Sequence, residues 1–181
     1  MTICRTALAA AILLLPACAD DELPEPNFQN AVETFTLGSL TSTPVVVPSA
    51  YSIPDNQVVR TDQSTGFDFA YVRVNDRDLL VPLGALGLGG RSSNPGMQFA
   101  TLSFDALVDP PSDGYLTSDS LEVSVGDVIV ARSRVACFLG VPQYAKLQVK
   151  SINATARTLT FDAVANVNCG YRSLALGLPR N

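Results

Sequence analysis

The chain is rich in apolar residues, mildly acidic and without histidine. Its 181 residues are 47% hydrophobic and 16% charged, and 12 basic against 17 acidic side chains give a net charge of −5. Such a composition can bury a core, and the length suits one domain. The basic residues form no cluster, so we expect no binding to nucleic acid, which needs a basic face to neutralise phosphates.

Residues 1–17 are typical of a bacterial lipoprotein signal peptide. Arg5 supplies a positive start, and the apolar run over 7–15 that follows is too short to span a bilayer, which takes roughly 20 residues. Leu15-Pro16-Ala17-Cys18 then resembles the lipobox of bacterial lipoproteins, in which the cysteine is acylated and becomes the first residue. We therefore predict an exported protein that is lipid-anchored through Cys18 to a bacterial membrane, facing the periplasm or the cell surface.

Pro16 departs from the lipobox, where a small or hydroxyl residue is usual. The alternative is cleavage after Ala17-Cys18-Ala19, an A-x-A pattern that would release a protein without a lipid. Residues 18–30 are acidic and rich in proline, and they predict an extended, solvated tether. The globular domain is expected over 31–181.

Short strands are predicted in the first half of the chain wherever β-forming residues lie between turn residues. They cover residues 34–37, 45–47, 66–74 and 79–81, with a turn over 75–78. Alternation in the third of these strands places Phe67, Phe69 and Tyr71 on one face. Residues 99–107 fit either a strand or a short helix, and residues 109–114 fit a loop.

The C-terminal third alternates most clearly. Residues 121–125 and 128–131 are predicted strands around a bend at Gly126-Asp127, and residues 144–152 and 158–164 predict a hairpin. In this hairpin we expect Leu159, Phe161 and Ala163 to point inward and Lys146 and Lys150 to face solvent. The predicted fold class is mainly β: a single antiparallel β-sandwich or open barrel with long Pro/Gly-rich loops.

The four cysteines divide into three groups. Cys4 belongs to the signal peptide and Cys18 is the predicted lipidation site. Cys137 and Cys169 remain as a pair in an oxidising compartment, which predicts a disulfide that clamps the open end of the hairpin.

Several strand motifs resemble HmuY-like bacterial envelope lipoproteins. They are Gly126-Asp127-Val128, Tyr144-Ala145-Lys146-Leu147-Gln148-Val149 and Thr160-Phe161-Asp162, together with Gly66-Phe67-Asp68-Phe69-Ala70-Tyr71, in which Phe67 replaces a tryptophan. The resemblance implies an all-β envelope lipoprotein, and it implies haem capture through axial histidine or methionine side chains. Without histidine, Met97 is the possible ligand, paired with a tyrosine. The alternative is that Met97 is a packing residue.

Few side chains suggest catalysis. The absence of histidine removes Ser-His-Asp and Cys-His mechanisms, and the lysines of the hairpin are expected in solvent rather than beside a serine. A hydrolase with paired carboxylates stays an alternative, although nothing singles out a pair. Asp76 with Asp78, and Asp109 with Asp113 and Asp119, do not follow the spacing of an EF-hand loop. We therefore expect turn residues there, no metal site and no enzyme activity.

Two segments are candidates for docking to a partner. Residues 84–91 are rich in glycine but lack the Gly-Lys-Ser/Thr end of a P-loop. The simpler interpretation is a flexible apolar loop, and the alternative is that Leu83, Leu86 and Leu88 form an exposed apolar tip that docks on a partner or a membrane surface. Tyr171 and Arg172 could be interface anchors, or they could belong to a turn held by the disulfide.

Together these features predict a protein that acts by binding. We expect a non-enzymatic, lipid-anchored domain that serves as a binding or accessory structural subunit of a membrane-associated protein complex, without a cofactor. Its partners would be the membrane, through the lipid, and other envelope or membrane proteins. The alternatives are a haem-capture lipoprotein and a carboxylate-pair hydrolase.

Overall fold

The computed structural model describes residues 23–88 and 95–180. The predicted signal peptide, Cys18 and the Gly-rich residues 89–94 lie outside the described residues. The strands, in chain order, are β1 Glu33–Gly38, β2 Ala50–Ser52, β3 Gln57–Val59, β4 Phe69–Val74, β5 Arg77–Pro82, β6 Gly96–Phe99, β7 Leu121–Glu122, β8 Val128–Arg132, β9 Tyr144–Asn153 and β10 Thr158–Asn166.

The strands form two five-stranded antiparallel sheets. The first sheet has the order β1-β10-β9-β8-β6, and the second has the order β3-β2-β4-β5-β7. They are not closed into a barrel, so the sandwich is the correct one of the two predicted architectures. The β9–β10 hairpin is confirmed, with Asn153 paired to Thr158 at its turn and Tyr144 paired to Asn166 at its open end.

The main core lies between the two sheets. Leu159, Phe161 and Ala163 point into it as predicted. Phe161 packs against Phe69 and Tyr51 of the second sheet, with ring centroids 6.3 and 5.5 Å apart. Such tilted and edge-on aromatic pairs add to the stabilisation that burial alone supplies.

Phe67 does not share the face of Phe69 and Tyr71, contrary to the prediction. It precedes β4 and packs in a second cluster with Val59 and Leu83 on the other side of the sheet. The cause is a bend at Asp68, whose backbone N–H donates to the carbonyl of Tyr51 before the strand begins. Strict alternation does not continue through a bend.

Several predicted strands are wrong in whole or in part, including 121–125, of which only Leu121–Glu122 forms a strand, β7. Residues 45–47 form a turn between Pro44 and Pro48, closed by a hydrogen bond from Val47 N–H to the carbonyl of Pro44. Proline removes a backbone donor at each side, which disfavours a ladder there. In residues 99–107, strand β6 ends at Phe99 and the remainder forms turns and bends rather than a helix.

Lys146 is buried rather than solvent-facing, with 3% of its surface exposed. Residues 100–110 cross over the outer face of the first sheet at this point. The Lys146 ammonium donates to the carbonyl of Leu107 at 2.9 Å and lies 4.9 Å from the centre of the Phe104 ring. Lys150 stays at the surface as predicted and pairs with Asp162 at 3.3 Å.

Candidate functional site

The disulfide predicted between Cys137 and Cys169 is present. Cys137 precedes β9 and Cys169 follows β10, and their Cα atoms are 5.5 Å apart. The bond therefore closes the open end of the hairpin, which we call the disulfide end of the sandwich. The opposite end, at the turn over residues 154–157, is called the hairpin-turn end.

The N-terminal segment, residues 23–30, is bound to the disulfide end. The buried side chain of Asn168 accepts hydrogen bonds at Oδ1 from the backbone N–H groups of Asn27, at 2.9 Å, and Phe28, at 3.0 Å. Its Nδ2 donates to the carbonyl of Phe28 at 2.8 Å. One asparagine thereby replaces water for three backbone groups of a segment about 140 residues away in sequence.

Two further buried asparagines complete this attachment. Asn166 Nδ2 donates to the carbonyl of Ser173, and its Oδ1 accepts from Asn168. Asn30 Nδ2 donates to the carbonyls of Ser173 and Ala175, and the backbone of Asn30 pairs with Gly177. The asparagines join the N-terminal segment, the end of the hairpin and the C-terminal segment into one unit.

Of the segment predicted as an extended, solvated tether over residues 18–30, the structure describes residues 23–30, and these are attached to the domain. Most side chains over 24–29 are exposed, as their polar composition indicated, but the backbone is fixed to the domain. Tyr171 adds to this attachment, since its buried side chain donates a hydrogen bond to the carbonyl of Pro24 at 3.2 Å. The chain thus leaves the described domain at Leu23, on the disulfide end.

An apolar surface surrounds this exit point. Phe28 is 61% exposed, Phe138 is 78% exposed and Leu139 is 42% exposed. Leu23 and Leu139 both pack over Gly170, where a Cβ atom would lie 2.6 Å from Leu23 Cδ2 and 2.9 Å from Leu139 Cδ1. We call Leu23, Phe28, Phe138 and Leu139 the anchor-end patch.

Phe28 and Phe138 also line one shallow cavity at this end. Its volume is about 210 Å³, and Glu25, Asn168 and Tyr171 contribute to its walls. Pockets that hold small organic ligands usually measure about 300–1,000 Å³ and enclose most of the ligand. This cavity is below that range, so between Phe28 and Phe138 the molecule presents a shallow apolar surface.

The leucines of the predicted docking loop do not form an exposed tip. Leu83 is buried and Leu86 is partly buried, and both pack in the second cluster with Phe67. Leu88 is exposed. The backbone turns directly after β5, with Leu86 N–H bonded to the carbonyl of Pro82, and this turn folds the first two leucines back onto the sheet.

Tyr171 and Arg172 lie near the disulfide end but are engaged within the chain. Tyr171 holds the N-terminal segment, as described above. The Arg172 guanidinium lies 4.8 Å from the centre of the Tyr144 ring and donates to the carbonyl of Pro110 at 3.0 Å. Their contacts favour the disulfide-held turn over the interface anchors.

Met97 lies in the main core with 1% of its surface exposed. Its backbone N–H and carbonyl are both bonded to Leu116. The prediction that Met97 is a possible haem ligand does not fit this position, because the two sheets would have to separate before the sulfur could reach an external ligand. The side chain is a packing residue, as the alternative stated.

One carboxylate is strongly buried, at Asp68. It accepts hydrogen bonds from the backbone N–H groups of Ile53 and Arg134, each at 2.7 Å, and from the Arg134 guanidinium at 3.2 Å. Burial raises the pKa of Asp68, against the lowering effect of these bonds and of the Arg134 charge. Because Arg134 follows β8 and Ile53 follows β2, Asp68 joins the two sheets, and its oxygens are engaged in that structural role.

Of the acidic turn residues, Asp76 and Asp78 are engaged with Arg73. Asp78 accepts hydrogen bonds from Tyr71 and Arg73, and Asp76 pairs with Arg73 at 3.4 Å. Across residues 23–88 and 95–180, no group of three or more histidine, cysteine, aspartate or glutamate side chains could hold a metal ion.

Sequence reasoning missed the three asparagines, which are the residues that define this end of the molecule. The motif Asn166-Val167-Asn168-Cys169 carried a usable signal, since asparagine side chains readily bind backbone groups, but nothing in it indicated the partner segment. In the part of the chain that the structure describes, no helix is long and apolar enough to cross a membrane. Comparison with known proteins finds no family model, no curated protein and no solved structure that matches this chain.

Proposed function

We propose that this protein is a lipid-anchored β-sandwich of the bacterial envelope that acts by binding, as an accessory structural subunit of a membrane-associated protein complex. The observation that carries the proposal is the attachment of residues 23–30 to the disulfide end. A lipid on Cys18 would then be joined to one end of a rigid domain rather than to a long flexible tether. A fixed exit point holds the rest of the domain in a defined orientation. Such preorganisation lowers the entropy that is lost when a subunit binds its partner.

The surface left for such a partner is the hairpin-turn end with the adjoining sheet edges. Val45 and Val46 are exposed there, in the turn between Pro44 and Pro48. Gly38, whose N–H donates to the carbonyl of Pro48, pairs with Thr158 and so locates this turn at the hairpin-turn end. A short apolar turn between two prolines loses little conformational entropy on binding, which favours protein recognition.

Fatty-acid labelling in a bacterial host tests the anchor. The wild-type protein and a Cys4→Ser variant should both incorporate labelled fatty acid and sediment with membranes, because Cys4 belongs to the segment that is removed. A Cys18→Ser variant should lose the label. Unlabelled wild-type protein that begins at Asp20 would instead establish the cleavage after Ala19 and contradict the proposal.

Recovery of the partner tests the accessory role. The wild-type protein should co-purify with envelope proteins after gentle solubilisation of membranes, and Val46→Glu should weaken that association while leaving the lipid in place. Wild-type protein that elutes only as a free monomer would contradict a role as a subunit.

A further inference from the structure

The anchor-end patch lies where the chain leaves the domain toward Cys18. Phe138 and Phe28 are among the most exposed aromatic side chains of the described residues, and they face the same shallow cavity. Solvent exposure of two phenyl rings and a leucine side by side is unfavourable, and such patches mark surfaces that become covered.

The short length of chain between Cys18 and Leu23 limits which surface can cover the anchor-end patch. Cys18 precedes Leu23 by five residues, which span at most about 18 Å when fully extended. A lipid on Cys18, which is the function proposed above and on which this inference rests, therefore holds Leu23 within about 18 Å of a bilayer. Leu23 in turn packs against Gly170 beside the disulfide. The patch is thus the part of the described domain that the anchor brings closest to the lipid.

We propose that the anchor-end patch rests on the bilayer, with the rings of Phe28 and Phe138 inserted at the boundary between headgroups and acyl chains. Apolar faces of interfacial protein segments reach about 5–10 Å into this region. The protein would then contact the membrane at two points, the lipid and the anchor-end patch. This second contact stops rotation about the short link and directs the hairpin-turn end away from the membrane.

The charges around the patch indicate an apolar contact rather than an electrostatic one. Glu25 lines the cavity beside Phe28, and Asp20, Asp21 and Glu22 lie in the link to Cys18. Carboxylates are not attracted to anionic headgroups, so the contact should form equally well on zwitterionic lipid and should resist salt.

The absence of tryptophan in the chain gives a direct test. Phe138→Trp puts a single tryptophan into the patch. Val46→Trp is the matched control, at a side chain that is also exposed but lies at the hairpin-turn end. The ten residues of β9 separate these ends by about 30 Å. Each full-length variant is produced in a bacterial host, purified in detergent and reconstituted into phosphatidylcholine vesicles, with or without bromine on the acyl chains.

We expect the emission of the Phe138→Trp variant to shift to shorter wavelength in the vesicles and to be largely lost when the lipid carries bromine. The Val46→Trp variant should show neither effect, and high salt should leave both results unchanged. Quenching in Val46→Trp instead of Phe138→Trp would show that the sandwich meets the bilayer with its other end. Blue-shifted but unquenched emission from Phe138→Trp would show that protein covers the patch. Either outcome overturns the proposal.

A mass spectrum of the same preparation separates this inference from the proposed function. If Cys18 is acylated and the tryptophan emission of the Phe138→Trp variant is not quenched, the membrane contact of the patch is refuted and the lipid anchor is retained. If Cys18 carries no acyl group, the proposed function falls, and the inference falls with it.

Discussion

Substitution of Asn168 by alanine should release the N-terminal segment from the domain. The side chain makes four hydrogen bonds, to Asn27 N–H, Phe28 N–H, the Phe28 carbonyl and Asn166 Oδ1. An intramolecular hydrogen bond contributes about 0.5–1.5 kcal/mol net, and water can reach part of the freed backbone at residues 27 and 28. We therefore expect Asn168→Ala to lower the free energy of unfolding by about 2–4 kcal/mol.

Urea unfolding measures this loss, and hydrogen exchange locates it. The amides of Asn27 and Phe28 should exchange much faster in Asn168→Ala, because both lose their acceptor. Asn153→Ala is the matched control, since its Oδ1 accepts a single exposed bond from Ala156 N–H at the hairpin-turn end. It should cost no more than about 1 kcal/mol and leave the two amides unchanged. A loss below about 0.5 kcal/mol for Asn168→Ala, without faster exchange, would refute the attachment.

Three further changes test the core, the disulfide and the buried lysine. Phe161→Ala should lower the free energy of unfolding by about 3–5 kcal/mol, because it empties a fully buried site between the sheets, and a loss near zero in urea would contradict this packing. Cys137 and Cys169 are 32 residues apart, and in the loop-entropy model reduction of their disulfide should lower the free energy of unfolding by about 3–4 kcal/mol. Urea unfolding with and without reductant measures this loss, and identical curves would show that the bond does not constrain the unfolded chain. Burial lowers the pKa of Lys146, so the folded protein binds fewer protons than the unfolded chain between that lowered pKa and the ordinary lysine value of 10.5. The stability of the wild type relative to Lys146→Met should therefore rise with pH through this alkaline range, and parallel stability–pH curves for the two proteins would refute it.

The hairpin and its disulfide could be predicted because their signals are local. Strict alternation over β9 and β10 identified the inward face at Leu159 and Phe161, and the two cysteines flank the same hairpin. Period-two patterns and paired cysteines in an oxidising compartment depend little on the rest of the fold.

The remaining features depend on contacts between distant segments. Lys146 has the sequence pattern of a solvent-facing strand residue and is buried because residues 100–110 cross over it. Leu83 directly precedes the Gly-rich loop, yet the turn after β5 returns it to the second cluster. Asn168 binds backbone groups about 140 residues earlier in the chain, and no local pattern predicts such a partner.

The candidate site illustrates the same division. The cysteines predicted the disulfide beside which the site lies. The exposed apolar side chains of the site come from segments that meet only in the folded chain. Phe28 lies in a segment predicted to be a solvated tether, and Phe138 lies in the loop before β9. Their proximity depends on the asparagine attachment, which no local sequence pattern indicated.

The most direct test of the central claim is a mass spectrum of the N-terminal peptide of the mature protein, exported by a bacterial host. A peptide that begins at Cys18 and carries acyl groups would establish an anchor joined to the disulfide end of the sandwich. An unmodified peptide that begins at Asp20 would contradict it.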